Sequence, residues 1–412
     1  MRTNQYESKS IPSKSFSSHP LISQQSPSSN EEQPLVEKEL DKPIRWRFRE
    51  EGPIDVNEVI RVLFAGPHFH AALPSLQAEL DRRRKLEGDN ADKKYPNILL
   101  VHAPTSNDLW KEAPAAHIAI PFMEAFPGDF FVPEITPKLR LVVQFGVGLE
   151  GVDLASATSQ GIAVSNVPAI DSGNAQATAE HALYLAITLL RSFPTQDYLS
   201  RFPNRSLGGL PLPRTIYRKK ATIVGYGAVG SCLARYLTAL GASVTVLRKT
   251  PWENATNSNQ QSNSLPSIHK AKSVKEAFPD TDILFLACTL TPETKSLLDS
   301  STIALLPPGA LVVNVARGAL VDYDAMFSSL RSGHIGGFAS DVGIGHPTKA
   351  SEPWDPNDPI CHLGPNANVL FTPHVGGYCD ASYDVMVRVI ADAIEHVVRG
   401  EAPPVWVNAP RV

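Results

Sequence analysis

The sequence predicts an α/β fold class, with parallel sheets flanked by helices, on three observations. Short apolar runs of strand length alternate with helical patterns along most of the chain. One run, Ala221–Val224, passes through the glycine-rich turn Gly225-Tyr226-Gly227-Ala228-Val229-Gly230 into a helical pattern and a second strand, Ser243–Leu247. The segment Asn174–Arg191 is apolar almost throughout from Ala182 to Leu190, as a helix buried on every side would be.

The elements follow in order. Residues 1–50 are expected to be a disordered tail: up to about Ile44 they are rich in Ser, Pro and Gln and hold too little apolar surface to offset chain entropy. The early serines with Arg2, Lys9 and Lys14 partly match a plastid or mitochondrial transit peptide. Scarce arginine and the lack of an amphipathic helix fit an untargeted, cytoplasmic chain instead. Folded sequence is expected from near Val56. Arg61–Ala65, Asn97–Val101, His117–Ile120, Leu139–Gln144 and Gly161–Val164 read as strands, and Ala71–Leu86 as a helix. Residues Ser192–Arg218 contain Pro and Gly and read as a linker. Within the glycine-rich unit, Val229, Leu233, Tyr236, Leu237 and Leu240 recur at helical spacing as one buried face. Asn254–Ser267 is a polar, low-complexity insertion. Strands resume at Ile283–Ala287, Ala310–Asn314, Ile335–Asp341 and Val369–Thr372. A final helix, Ala381–Arg399, stops at Gly400.

Bulk properties narrow the function. The 412 residues have room for two domains, and a net charge of −4 argues against nucleic acid or a membrane surface as main partner. Cys232, Cys288, Cys361 and Cys379 have no metal or redox spacing, so no metal site is expected and a reducing compartment is.

The glycine turn carries the first chemical signal. Gly225 suits a tight turn, Gly227 a close backbone approach to a pyrophosphate, and Gly230 close helix–strand contact. The helix start after them favours an anion. A dinucleotide cofactor is the expected ligand. After the second strand come Arg248 and Lys249, with no acid before Glu253. An acid there would accept from a ribose 2′-hydroxyl, whereas arginine accommodates a 2′-phosphate, so NADP(H) is favoured with NAD(H) possible.

Three polar residues then fall where strands give way to loops: Arg317, Glu352 and His374. A guanidinium clamps a carboxylate and polarises the adjacent carbonyl, an imidazolium protonates the carbonyl oxygen as hydride arrives, and a carboxylate keeps that imidazole charged. Singly, each reads as an ordinary solvated or buried residue. Together, beside a dinucleotide turn, they are the parts needed to reduce a 2-oxo acid.

These strings make a resemblance. Gly146-Val147-Gly148, GYGAVG, TPETKSLL, NVARGALVD, Asp341 at a strand end, SEPWDPNDPI and TPHVGG occur in the order found in the D-isomer-specific 2-hydroxyacid dehydrogenases. That family includes D-3-phosphoglycerate dehydrogenases and glyoxylate/hydroxypyruvate reductases. QFGVGLEGVD and SEPWDPNDPI resemble strings of a plant-type, phosphoglycerate-dehydrogenase-like branch. The resemblance implies a Rossmann-type, doubly wound cofactor domain over 174–374. It also implies a discontinuous, flavodoxin-like substrate domain over 56–173 and 375–412, and a homodimer through the cofactor domain. It implies that Arg317 binds substrate carboxylate and carbonyl, that Glu352 and His374 form the acid/base pair, and that Phe145, Gly146, Val147 and Gly148 contact substrate. Asp341 would accept from the nicotinamide carboxamide, and Tyr226, Ala228, Val229, Cys288, Thr289, Val315, Ala316 and Gly377 would join the cofactor site. The family's usual spacing places the acid at His346. Reading Gly343–Ala350 as containing an insertion keeps Glu352. Gln144 stands where many members carry a basic residue, which weakens a phosphorylated substrate. The implied activity is oxidoreduction at the CH–OH group of a small D-2-hydroxy acid, with glyoxylate or hydroxypyruvate ahead of 3-phosphoglycerate. A non-catalytic NAD(P)-sensing interaction protein of corepressor type is the alternative.

Overall fold

The computed structural model describes residues 44–55, 57–66, 71–88, 97–121, 125–200, 212–249, 268–343, 358–363 and 367–410. The described residues include 44–55, ahead of the expected start at Val56 and partly inside the tail expected up to residue 50. Helix α1 (Arg47–Glu50) has a single turn, yet Trp46 and Phe48 are only 4% and 0% exposed. The Arg47 amide donates to the Gly161 carbonyl at 2.9 Å, and its guanidinium to the carbonyls of Thr136 and Gln160. A turn this short has no periodicity to read; distant partners hold it in place.

Two parallel sheets organise the chain. The first holds β1 (Val59–Ala65), β2 (Asn97–Ala103), β3 (Ile118–Pro121), β4 (Leu141–Val143) and β5 (Ala163–Ser165) in the order β2-β1-β3-β4-β5. Helices α2 (Ala72–Leu86), α3 (Ser106–Glu112) and α4 (Leu154–Ser159) make its crossovers. Leu76 and Leu80 of α2 share a core with Ile60 and Val62 of β1 and with Met386, Ile390, Ile394 and Val397 of the C-terminal helix. The chain's last helix therefore returns to its first sheet. Arg83 of α2 adds a 2.7 Å ion pair to Asp392.

Helix α5 (Asn174–Arg191) leads to the second sheet, with α6 (Phe193–Ser200) occupying part of the expected linker. The strands are β6 (Lys220–Val224), β7 (Ser243–Leu247), β8 (Ile268–Ala271), β9 (Ile283–Leu286), β10 (Ala310–Asn314), β11 (Ile335–Ser340) and β12 (Val369–Phe371). They are ordered β12-β11-β10-β9-β6-β7-β8, all parallel. Strand β8 was not expected from the sequence: it is an edge strand whose His269 and Lys270 are exposed, so it lacks an apolar run. The remaining helices are α7 (Ala228–Ala239), α8 (Val274–Ala277), α9 (Ser300–Ile303), α10 (Tyr323–Ser332) and α11 (Asp380–Val398), the returning C-terminal helix. Gly400 follows α11 at φ +76°, as the sequence predicts.

Helix α5 packs Ala182, Leu185, Ala186 and Leu189 against Leu233 and Leu237 of α7 and Ile223 of β6. It is not buried all round. Tyr184 and Ile187 are 52% and 41% exposed, so an apolar stripe remains on the surface. Leu240, expected on the buried face after α7, is likewise 44% exposed. The order of the second sheet reverses between β6 and β9, opening a crevice at the carboxyl ends of those strands. Among the described residues no helix is long and apolar enough to cross a membrane, and no cluster of metal-ligating side chains is present. The Asn254–Ser267 insertion lies outside the described residues.

Candidate active site

The glycine turn sits at the order reversal. Gly225 has φ +102°, and a Cβ there would fall 2.5 Å from the Ala287 carbonyl oxygen of the neighbouring strand end. A Cβ on Gly230 would fall 2.1 Å from the Gly225 carbonyl oxygen. Both positions are closed to any other residue by the protein's own backbone. Gly227 differs: it caps α7, and a Cβ there would meet nothing within 4 Å. Nothing in the fold itself demands glycine at that position. A pyrophosphate lying close over the backbone at a helix start would, so the residues present fit a dinucleotide.

A cavity of about 450 Å³ opens beside this turn. Phe145, Gly146, Val147 and Gly148, on the segment leaving β4, line one wall. Val229, Cys288, Thr289, Val315, Ala316, Arg317, Asp341, His374 and Gly377 line the rest, from strand and helix ends of the second sheet. Burial pushes the Cys288 thiol up to about 11, so it lines the site as a neutral group. Tyr226, Ala228, Arg248 and Lys249 stand outside the cavity lining. Burial raises the Tyr226 phenol, and the charges of Arg235 and Arg248 oppose that shift. Lys249 pairs with Glu293 at 3.5 Å.

The turn carrying Arg317 is built by Asn314, fully buried at the end of β10. Its side chain accepts from the Ala316 amide at 3.0 Å and donates to the Arg317 carbonyl at 2.9 Å. Arg317 Nη1 donates to the Ala316 carbonyl at 2.7 Å. Glu150 Oε1 lies 2.8 Å from Nε and 2.7 Å from Nη2 of the same guanidinium. That ion pair joins the segment after β4 to the segment after β10. On the facing wall Asn166 donates to the Val147 carbonyl at 2.8 Å and fixes the Gly146–Gly148 turn.

His374 follows β12 with φ +57°, an uncommon conformation for a residue with a side chain. Its turn is pinned by Asp341, which is 2% exposed. The carboxylate accepts from the Thr372 hydroxyl at 2.6 Å and from the Val375 and Gly376 amides at 2.9 and 2.8 Å. His181 of α5 stands 3.4 Å away and also meets Thr372 Oγ1 at 3.0 Å. Burial alone would push the Asp341 carboxyl up; bonds from His181, Thr372 and the Gly376 amide outweigh it and hold the carboxyl below its ordinary value. Of the three residues picked out for chemistry, Arg317 and His374 share the cavity. Glu352 lies outside the described residues, as does His346. Glu150, Asn314, His181 and Thr372 were not among the residues picked out. The clearest signal for any of them was Asn314, an amide ending a strand of otherwise apolar residues.

The glycine cradle at the reversal of a doubly wound sheet places the chain among dinucleotide-binding α/β proteins. Residues 183–376 match the model of the D-isomer specific 2-hydroxyacid dehydrogenase, NAD binding domain. The chain is 30% identical over 286 residues to the glyoxylate reductase of Pyrococcus furiosus, covering 68% of this chain and 79% of that enzyme. It is 30% identical over 324 residues to a D-3-phosphoglycerate dehydrogenase of Mycobacterium bovis, covering 78% of this chain but only 56% of that enzyme. Among solved structures, the TT0316 protein of Thermus thermophilus superposes with a TM-score of 0.67 at 25% identity, covering 84% of this chain and 100% of that one. The chain belongs to the D-isomer-specific 2-hydroxyacid dehydrogenases, a family of oxidoreductases acting on CH–OH groups.

Proposed function

We propose that the protein reduces small, unphosphorylated 2-oxo acids such as glyoxylate or hydroxypyruvate, or oxidises the matching D-2-hydroxy acids, with NADP(H) preferred to NAD(H). The observation that carries this reading is the single cavity in which strand ends of both sheets bring Gly146–Gly148, Arg317 and His374 beside the glycine cradle. A bound reduced nicotinamide supplies the hydride. Backbone amides at Val147 and Gly148 and the Arg317 guanidinium bind the substrate carboxylate. Arg317 also polarises the carbonyl. His374 delivers a proton to the carbonyl oxygen as it becomes an alkoxide, and Glu352 is the carboxylate that keeps the imidazole charged, on the sequence pattern alone. The sequence on either side of the cofactor unit forms the substrate domain, 56–173 with 375–412, and closure over 174–374 excludes water.

Arg248 and Lys249 after β7, with no acid among them, support the phosphorylated cofactor. Gln144 in place of a basic residue argues against a phosphorylated substrate. The exposed Tyr184 and Ile187 on α5 support a homodimer through the cofactor domain. A panel of 2-oxo acids assayed with NADPH and NADH tests the reading. Glyoxylate- or hydroxypyruvate-dependent oxidation of NADPH, with reduction of the 2-oxo acid, is the expected result. No turnover on the whole panel would leave the corepressor-type reading standing instead.

A further inference from the structure

We propose that Glu150 is an internal carboxylate seated where the substrate carboxylate binds, and that substrate must displace it from Arg317. This rests on the function proposed above and adds a determinant of specificity to the same site.

The geometry points to one seat. A Cβ built on Gly148 would fall 2.5 Å from Arg317 Nη2 and 2.5 Å from Glu150 Oε2. The Glu150 carboxylate thus lies directly over the Gly148 backbone while its other oxygen meets Nε and Nη2 of Arg317. The Gly148 backbone and the Arg317 guanidinium are the two elements that a 2-oxo acid carboxylate engages in the proposed mechanism. Glu150 meets both. Nη1 already donates to the Ala316 carbonyl, and Glu150 holds the Nε/Nη2 edge, the side of the guanidinium that offers a carboxylate two parallel donors.

Two consequences follow. Substrate binding exchanges one carboxylate for another, so part of its affinity is spent releasing Glu150. The released carboxylate stays at the cavity wall, where its charge opposes a second negative charge on the substrate. The site therefore favours monoanionic acids over phosphorylated ones. The pair is about one-third exposed, 31% for Arg317 and 37% for Glu150, so its strength is that of a partly solvated ion pair. Such a pair corresponds to roughly a fivefold effect on binding.

Glu150→Gln keeps the volume and removes the charge. Oxamate, a 2-oxo acid amide that cannot be reduced, measures carboxylate binding to the protein–NADPH complex without turnover. The expected result is about fivefold tighter oxamate binding in Glu150→Gln and Glu150→Ala, and a KM for glyoxylate lowered by a similar factor. NADPH affinity should be unchanged, and the gain should be larger for a phosphorylated 2-oxo acid than for glyoxylate. Unchanged oxamate binding would mean that Glu150 and substrate share Arg317. Weaker binding, or a kcat lowered tenfold or more, would mean that Glu150 holds Arg317 in its working position. Either result overturns the proposal. Failure of wild-type protein to turn over any 2-oxo acid would instead sink the functional reading beneath it.

Discussion

Asp341 ties β11 to the turn that carries His374, and Asp341→Asn measures how much that tie is worth. The carboxylate accepts three hydrogen bonds of 2.6 to 2.9 Å from Thr372, Val375 and Gly376 at a site 2% exposed. An asparagine keeps the shape but turns one oxygen into an NH2 group. Placed at Oδ2 that group confronts the Gly376 amide; placed at Oδ1 it confronts the Val375 amide. Either way a buried donor is left without an acceptor, at about 1–3 kcal/mol, and the remaining bonds lose their charge assistance. Together these come to about 3 kcal/mol. Thr372→Val removes one donor while leaving the carboxylate its two amides, at about 1 kcal/mol. For the proposed cofactor domain of roughly 200 residues this separates the variants in Tm, by about 6–12 °C for Asp341→Asn and about 2–4 °C for Thr372→Val. The pH dependence has a definite sign. The folded carboxyl is held below its ordinary value, so its stabilisation is complete above the unfolded pKa of about 4 and is lost as pH falls through the folded value. His181 and the Tyr378 phenol are titratable groups facing it. Thermal unfolding followed by circular dichroism should show the full gap between wild type and Asp341→Asn at pH 7 and a shrinking gap below about pH 4. A gap under about 2 °C at pH 7, or one that persists unchanged in acid, would refute this account of the turn.

Three further outcomes are expected. Gly227→Ala should leave Tm within about 2 °C of wild type while cofactor binding weakens severely, because its Cβ meets open space. Gly230→Ala should lower Tm as well, because its Cβ falls 2.1 Å from backbone; calorimetry and titration on both variants check the contrast. His374→Ala should lower kcat by roughly 10²–10⁴-fold with cofactor affinity nearly unchanged, and lost cofactor binding would show that its role is misassigned. Arg248→Ala should weaken NADPH binding roughly tenfold to a hundredfold and NADH binding far less. Tighter NADH than NADPH binding in the wild type would end the argument from Arg248.

What was legible in the sequence, and what was not, divides by the range of the interactions. Strands β9 and β10 at the centre of the second sheet are buried on both faces, so they read as continuous apolar runs, and the glycine turn reads from its position between a strand and a helix. Arg317 and His374 stood out because each follows such a run directly. Helix α1 and strand β8 escaped notice because neither has a pattern of its own. Trp46 is buried against Trp406, its ring centroid 4.8 Å away at the other end of the chain, and β8 is a polar edge. His181 is a lone imidazole in an apolar helix, a place where a satisfied core histidine is the ordinary reading. Only the packing of α5 against β12 turns it toward Thr372 and Asp341. Glu150 is the sharper case. In sequence it is an acid in a glycine-containing loop, indistinguishable from a solvated one. It gains meaning only when the ends of β4 and β10 face one another across the cavity, and the same approach sets the Arg317 guanidinium against Gly148. The residues that do the proposed chemistry are marked by local context, whereas those that position or oppose them are marked only by a partner elsewhere in the chain. Glycine at position 148 joins the two: its missing side chain is the space in which two carboxylates, one from the protein and one from the substrate, compete for one arginine.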